Sequence, residues 1–113
     1  MQSTQPCPVE TAIQIIGGKW KLLILRSILL NGPQRYNQLL STVTAISPKE
    51  LTRNLRDLVE AGILSREVGA RQIAHYNPTK LGEGLMPTFT SLLSWGQNLL
   101  PASKEPATHL QVR

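Results

Sequence analysis

The chain has 113 residues and a mass of 12.5 kDa, which fits one domain with a single modest core. Apolar residues make up 41% of it, so a wholly disordered chain is not expected, and its longest apolar run, residues 22–25, is far too short to span a membrane. Twelve Lys and Arg against seven Asp and Glu give a net charge of +5, which favours an acidic partner such as nucleic acid.

The N-terminus lacks the basic and apolar segments of a secretory signal, and the single cysteine cannot form an internal disulfide. We therefore expect a cytoplasmic protein that does not bind membranes. Residues 1–6 are polar and expected to be flexible. Residues 7–100 are expected to form the folded domain, and residues 101–113, which contain two prolines, a flexible tail.

The first two predicted helices are strongly apolar. Pro8 begins the first helix, where its missing N–H costs no hydrogen bond, and apolar residues at helical spacing follow up to a Gly17-Gly18 break. The second helix is predicted from about Lys19 to Leu30, before Asn31-Gly32-Pro33 ends it. Its apolar residues occupy a wide face, so we expect it to be central and largely buried; they are Trp20, Leu22, Leu23, Ile24, Leu25, Ile28 and Leu30.

A short third helix, residues 36–42, and a tight connection at residues 44–46 precede a capping box. In this box Ser47 caps the fourth helix, Pro48 takes its first position and Glu50 returns a hydrogen bond to the cap. The fourth helix is predicted to reach about residue 61 and to stop at Gly62. Its apolar stripe consists of Leu51, Leu55, Leu58 and Val59.

After the fourth helix the pattern changes to two strands, residues 63–68 and 73–77, which form a hairpin around residues 69–72. Thr79 caps a last helix that extends to about Leu100, and Pro87 either kinks this helix or marks a restart. The chain is thus predicted to be mainly α with a small β-hairpin. This order of elements is typical of a winged helix-turn-helix, with residues 36–61 as the helix-turn-helix unit.

The positive charge is concentrated in the middle of the chain. Residues 19–80 contain ten Lys and Arg against four Asp and Glu, a net charge of +6, whereas the flanks together carry −1. The middle is therefore the candidate contact surface, and the nearly neutral, apolar flanks suit packing against protein. A solvated basic surface without a partner is the alternative that charge alone leaves open.

On a helical wheel, the fourth helix places a basic face opposite its apolar stripe; this basic face consists of Lys49, Thr52, Arg53 and Arg56. Arg53 can bind guanine O6 and N7 as a fork or can hold a phosphate. The cap end at Ser47 carries free N–H groups suited to phosphate, and it is this end that enters the major groove in helix-turn-helix docking. An ordinary amphipathic surface helix is the alternative.

Two further arginines are candidates for the DNA backbone. Arg71 lies at the tip of the hairpin, and Arg35 lies at the start of the third helix. The predicted DNA-binding residues are therefore Arg35, Ser47, Lys49, Thr52, Arg53, Arg56 and Arg71.

Several segments resemble the HxlR-type bacterial regulators over about residues 7–97. They are Cys7-Pro8-Val9-Glu10, Ile16-Gly17-Gly18-Lys19-Trp20, Ile46-Ser47-Pro48-Lys49, Glu60-Ala61-Gly62-Ile63-Leu64 and Trp95-Gly96. The resemblance implies a winged helix-turn-helix transcription factor related to the MarR type. It also implies a homodimer that uses the first and last helices as its interface.

The apolar flanks independently favour a homodimer, because the last helix is apolar over a face too wide for a small domain to cover. A two-fold dimer on a pseudo-palindromic operator, with half-sites about one helical turn apart, is the expected geometry. The alternative is that both terminal helices cover the core of a monomer. The predicted interface consists of Val9, Ile13, Ile16, Leu85, Phe89, Leu92, Leu93 and Trp95.

Cys7 directly precedes the first helix, and a helix N-terminus favours the thiolate. The resemblance implies a role as a sensor, since some HxlR-type regulators use such a cysteine to detect oxidants or reactive electrophiles. With one thiol per chain, sensing requires an intersubunit disulfide, a mixed disulfide or alkylation. An inert cysteine is the alternative.

No sequence feature favours an enzyme. His75 and His109 are the only histidines, metal-ligand spacing is missing, and there is no glycine-rich phosphate loop, so we expect neither a metal nor a cofactor. The predicted function is a double-stranded DNA-binding transcriptional regulator. The alternative is a winged-helix module that binds protein without DNA, although such a module does not need aligned cations on its fourth helix.

Overall fold

The computed structural model describes residues 6–101, so the expected flexible ends fall outside it apart from Pro6 and Pro101. Among these residues six helices and three short strands occur. In chain order they are α1 (Pro8–Ile16), α2 (Lys21–Asn31), β1 (Gln34–Arg35), α3 (Tyr36–Thr42), α4 (Pro48–Glu60), β2 (Leu64–Val68), β3 (Ala74–Pro78), α5 (Lys80–Glu83) and α6 (Met86–Gln97). The mainly α architecture with a small β-hairpin is confirmed.

The core lies where α2, α3 and α4 pack against the sheet. α2 contributes Ile24, Leu25 and Ile28, which are fully buried and confirm its central position. The prediction for Leu30 was wrong: 63% of this side chain is exposed, because it faces a groove between α2 and α6 and not the core. The other buried apolar residues are Trp20, Leu39, Val43, Ile46, Leu51, Leu55, Leu58, Ile63 and Leu64.

The capping box of α4 forms as the sequence predicts. The Ser47 hydroxyl accepts a hydrogen bond from the Glu50 backbone N–H at 3.1 Å, and the Glu50 carboxylate accepts one from the Ser47 N–H at 3.1 Å. α4 ends at Glu60, two residues before Gly62, whose φ of +79° suits a residue without a side chain. The helix therefore has a defined start and end, and its leucine stripe is buried against the core.

The predicted hairpin is present as β2 and β3, joined by a 3₁₀ turn at Ala70–Gln72. The sequence did not predict β1, which pairs with β3 to give an antiparallel sheet of order β1-β3-β2. Gln34 of β1 is buried, and its amide donates to the Ser27 carbonyl at 2.8 Å and to the Ser27 hydroxyl at 2.9 Å. A buried glutamine held by α2 thus anchors this two-residue strand.

The predicted last helix is divided into α5 and α6. Thr79 caps α5 by accepting a hydrogen bond from the Gly82 N–H at 3.1 Å, as expected. Pro87 lies in the first turn of α6, so of the two alternatives it marks a restart. In the part of the chain that the structure describes, no helix has the length and apolar character needed to cross a membrane.

Candidate nucleic-acid interface

The structure brings the predicted basic face together on the exposed side of α4. Lys49, Thr52, Arg53 and Arg56 are all exposed, and with Pro48 they line a shallow depression of about 490 Å³. Within residues 6–101, none of these three cations has a carboxylate within ion-pair distance. Among these described residues no ion pair holds the three cations, so their charges are available to an anionic partner.

Hydroxyl groups at the edge of this face are already hydrogen-bonded. The Tyr36 hydroxyl donates to the Pro48 carbonyl at 3.0 Å and lies 3.0 Å from the Thr52 hydroxyl. Because a carbonyl can only accept, the Tyr36 proton is used there and Thr52 is the donor of the second bond. The hydroxyl of Tyr36 therefore connects α3 to the basic face, a contact that the sequence analysis did not predict.

Glu50 provides a negative charge beside the cap of α4. Hydrogen bonds from the Ser47 backbone N–H and hydroxyl hold the pKa of the Glu50 carboxyl below its usual value. Burial opposes this effect in part, and the Trp20 indole N–H and the positive charge of Arg53 lower the pKa by smaller amounts. Glu50 is therefore ionised at neutral pH. The Ser47 hydroxyl is hydrogen-bonded within this cap, so it is less available to bind DNA than the side chains of the basic face.

The two other predicted arginines lie outside the α4 depression. Arg71 is exposed at the hairpin tip, where it and Gln72 have φ values of +63° and +62°, a conformation unusual for residues other than glycine. Arg35 is exposed at the cap of α3 and stands opposite His75 in the sheet. Its backbone N–H donates to the Gln38 side chain at 2.8 Å.

The predicted dimer residues divide into two groups. Ile16, Leu85 and Phe89 pack in part against the core of their own chain. The exposed residues lie on α1 and α6; they are Val9, Ile13, Leu92, Leu93 and Trp95.

Two further features adjoin these helices. An apolar groove of about 550 Å³ separates α2 from α6, and Leu92 and Leu93 line it. Cys7 is exposed at the cap of α1, where its carbonyl accepts the Thr11 N–H at 2.9 Å. Residues 6–101 contain no cluster of three or more His, Cys, Asp or Glu that could hold a metal ion.

Comparison with known proteins gives a consistent result. The sequence model of the HxlR-like helix-turn-helix family matches residues 15–104. YkvN of Bacillus subtilis (strain 168), described as an HTH-type transcriptional regulator, is 39% identical over 93 residues, which cover 80% of this chain and 77% of YkvN.

Two solved structures resemble the fold described above. The redox regulator HypR in its oxidized form matches with a TM-score of 0.76 at 32% identity, over 85% of this chain and all of HypR. Quinone-bound YodB from B. subtilis matches with a TM-score of 0.70 at 30% identity, over 81% of this chain and 99% of YodB. These similar proteins are regulators and not enzymes, and the arrangement of α3, α4 and the hairpin is that of a winged helix-turn-helix. The chain belongs to the HxlR-like helix-turn-helix family of transcriptional regulators.

Proposed function

We propose that the protein is a homodimer that binds double-stranded DNA sequence-specifically through the basic face of α4. The observation that carries this proposal is the alignment of Lys49, Arg53 and Arg56, without ion-pair partners in the described part of the chain, on one side of a capped helix. Because the leucine stripe on the opposite side is buried, it anchors α4 to the core and leaves these cations facing outward, as insertion into a major groove requires.

The individual roles follow from position and chemistry. Arg53, in the middle of the exposed side, has the planar fork that recognises guanine O6 and N7. Lys49 and the N-terminal turn at Ser47 are placed to hold a phosphate at the groove edge, and Thr52 keeps acceptor lone pairs for the same surface. Arg56, Arg35 and Arg71 would neutralise flanking phosphates, with Arg71 reaching from the hairpin tip to the adjacent backbone or minor groove.

The homodimer is supported by the apolar surface of α1 and α6. Val9 and Ile13 are 65% and 60% exposed and α1 has no buried residue, so α1 buries little apolar surface against its own chain. Leu92, Leu93 and Trp95 expose further apolar area on α6, beside the groove against α2. A second copy related by a two-fold axis would cover these faces, with Ile16, Leu85 and Phe89 supporting them from below. This is the geometry that a pseudo-palindromic operator requires.

Cys7 is proposed as the site at which an oxidant or small electrophile acts. It is exposed at the N-terminal end of a helix assigned to the dimer interface, so a group added there would disturb that interface. A quinone would form a C–S bond with the thiolate, and an oxidant would convert it to a sulfenic acid that condenses with a second thiol. A regulator of this kind acts where the chromosome lies, and we expect it in the cytoplasm.

The experiment is a selection of duplexes from a random library, followed by fluorescence anisotropy at several salt concentrations. If four cations in each protomer contact phosphate, a dimer makes eight such contacts and log affinity should fall against log salt with a slope of about −7. The selected duplex should bind at least ~1,000-fold more tightly than a random one. Absent or salt-insensitive binding would instead favour a winged-helix module that binds protein.

A further inference from the structure

A row of polar contacts joins the start of α2 to one side of α4. The Trp20 indole N–H donates to Glu50 Oε2 at 3.0 Å. The Lys21 ammonium donates to Asn54 Oδ1 at 3.0 Å and to Asp57 Oδ2 at 3.2 Å. The three acceptors follow one another at i, i+4 and i+7, so they form a ridge along two turns of the helix.

These contacts are well defined by their surroundings. Trp20 is 8% exposed and Asn54 only 4%, so both are nearly shielded from water. The Asn54 amide donates to the Glu50 carbonyl at 2.7 Å, and this bond turns its oxygen towards Lys21. Glu50 is held in turn by the Ser47 cap. Glu50 and Asn54 therefore have fixed orientations before α2 contacts them, whereas the contact shown for Asp57 is the one with Lys21.

The buried leucines and the polar row act differently on α4. Packing between apolar side chains is non-directional and tolerates small rotations of a helix, whereas hydrogen bonds weaken steeply when their angles change. A rotation of about 10° moves a side-chain tip that lies about 6 Å from the helix axis by about 1 Å. A displacement of that size is enough to spoil a bidentate contact between an arginine and a base.

We propose that Trp20 and Lys21 are positioning residues that set the rotation of α4 about its own axis, and so aim the basic face. This inference rests on the proposed binding of DNA through α4. Gly18, whose φ is +94°, lies two residues before Trp20 in the connection from α1 to α2. Trp20 and Lys21 lie at the end of this connection and therefore join it to α4, the helix proposed to read DNA.

Two substitutions with matched controls test the proposal. Trp20→Phe removes the indole N–H but keeps an aromatic ring, and its control is Tyr76→Phe, because Tyr76 also packs against the core and its hydroxyl has no hydrogen-bond partner among residues 6–101. Lys21→Met removes the ammonium, and its control is Lys80→Met, which removes the same charge from an exposed residue at the start of α5, away from the contacts of Trp20 and Lys21 with α4.

Two measurements are made on each full-length variant. The first is the ratio of affinities for the selected duplex and a random duplex, which Trp20→Phe and Lys21→Met should lower about tenfold relative to their controls. The second is hydrogen–deuterium exchange of the α4 amides in the absence of DNA, which should become faster in both variants and not in the controls. The proposal would be overturned if both variants have lowered unfolding midpoints but keep the wild-type ratio of affinities and the wild-type exchange of the α4 amides. The contacts would then be merely structural.

The two readouts separate this inference from the proposed function. If no duplex is bound even by the wild-type protein, the proposed function has failed, and the exchange measurement still decides whether Trp20 and Lys21 hold α4. If duplexes are bound and the ratio does not change, DNA binding stands and the positioning role is refuted. Should Trp20→Phe fail to fold, Lys21→Met supplies the same test from the more exposed end of the contact.

Discussion

Arg53→Ala is the substitution that separates base reading from general attraction to DNA. Arg53 lies in the middle of the basic face, is exposed, and has no ion-pair partner among residues 6–101, so its loss disturbs no buried contact. If its fork binds a guanine in each half-site, each lost contact costs about 1–3 kcal/mol, which is about 5- to 150-fold in affinity per protomer. Affinity for random duplexes should change much less.

The assay is fluorescence anisotropy with the selected duplex and with a random duplex at equal salt concentration. Lys80→Ala is the matched control, because it removes the same charge from an exposed residue at the start of α5, an element distinct from α4. Equal losses for both duplexes, together with a salt slope reduced by about 2 for a dimer, would show that Arg53 binds phosphate instead of a base.

The other predictions address the dimer, the helix cap and the cysteine. Leu93→Glu should convert the dimer to a 12.5 kDa monomer in analytical sedimentation. The control Val68→Glu, at an exposed valine of the hairpin, should leave the mass of the dimer unchanged. Equal masses for both variants would contradict the proposed interface. The pKa of the Glu50 carboxyl is lowered in the folded protein, so the stabilising effect of Glu50 is complete above its ordinary pKa of 4.5 and is lost as the pH falls through the lower folded value. The difference in unfolding free energy between wild type and Glu50→Gln, measured in urea, should therefore shrink below pH 4.5. A difference that stays constant with pH would be inconsistent with this role of Glu50. Cys7→Ser should bind DNA normally but lose any response to quinones and oxidants, and a response like that of the wild type would exclude Cys7 as the sensor.

Local signals predicted α3 and α4 well. The bounds of α3 agree with residues 36–42, and the Ser47 and Glu50 capping box forms with both of its hydrogen bonds. Such features depend on residues close in the chain, so the sequence contains the complete pattern. The separation of the basic face from the leucine stripe is equally local, because it follows from helical periodicity alone.

Features that depend on distant residues could not be predicted in the same way. The contact from Trp20 to Glu50 joins residues 30 apart, and a wheel of either helix shows only that the two side chains lie on its surface. β1 has two residues, too few for an alternating pattern, and exists because Ser27 holds Gln34 and β3 offers an edge. Leu30 has an apolar position on the wheel, but the path of α6 leaves it in a groove and not in the core.

Methylation protection on the selected duplex tests the central claim most directly, because it reports guanine N7 atoms covered in the major groove. Two copies of α4 related by a two-fold axis should protect guanines in two major-groove segments, with centres one helical turn or about 10 base pairs apart. Arg53→Ala should remove the strongest protection in both segments. Protection confined to one segment, or none at a duplex that the protein binds, would contradict a dimer that reads DNA through the basic face of α4.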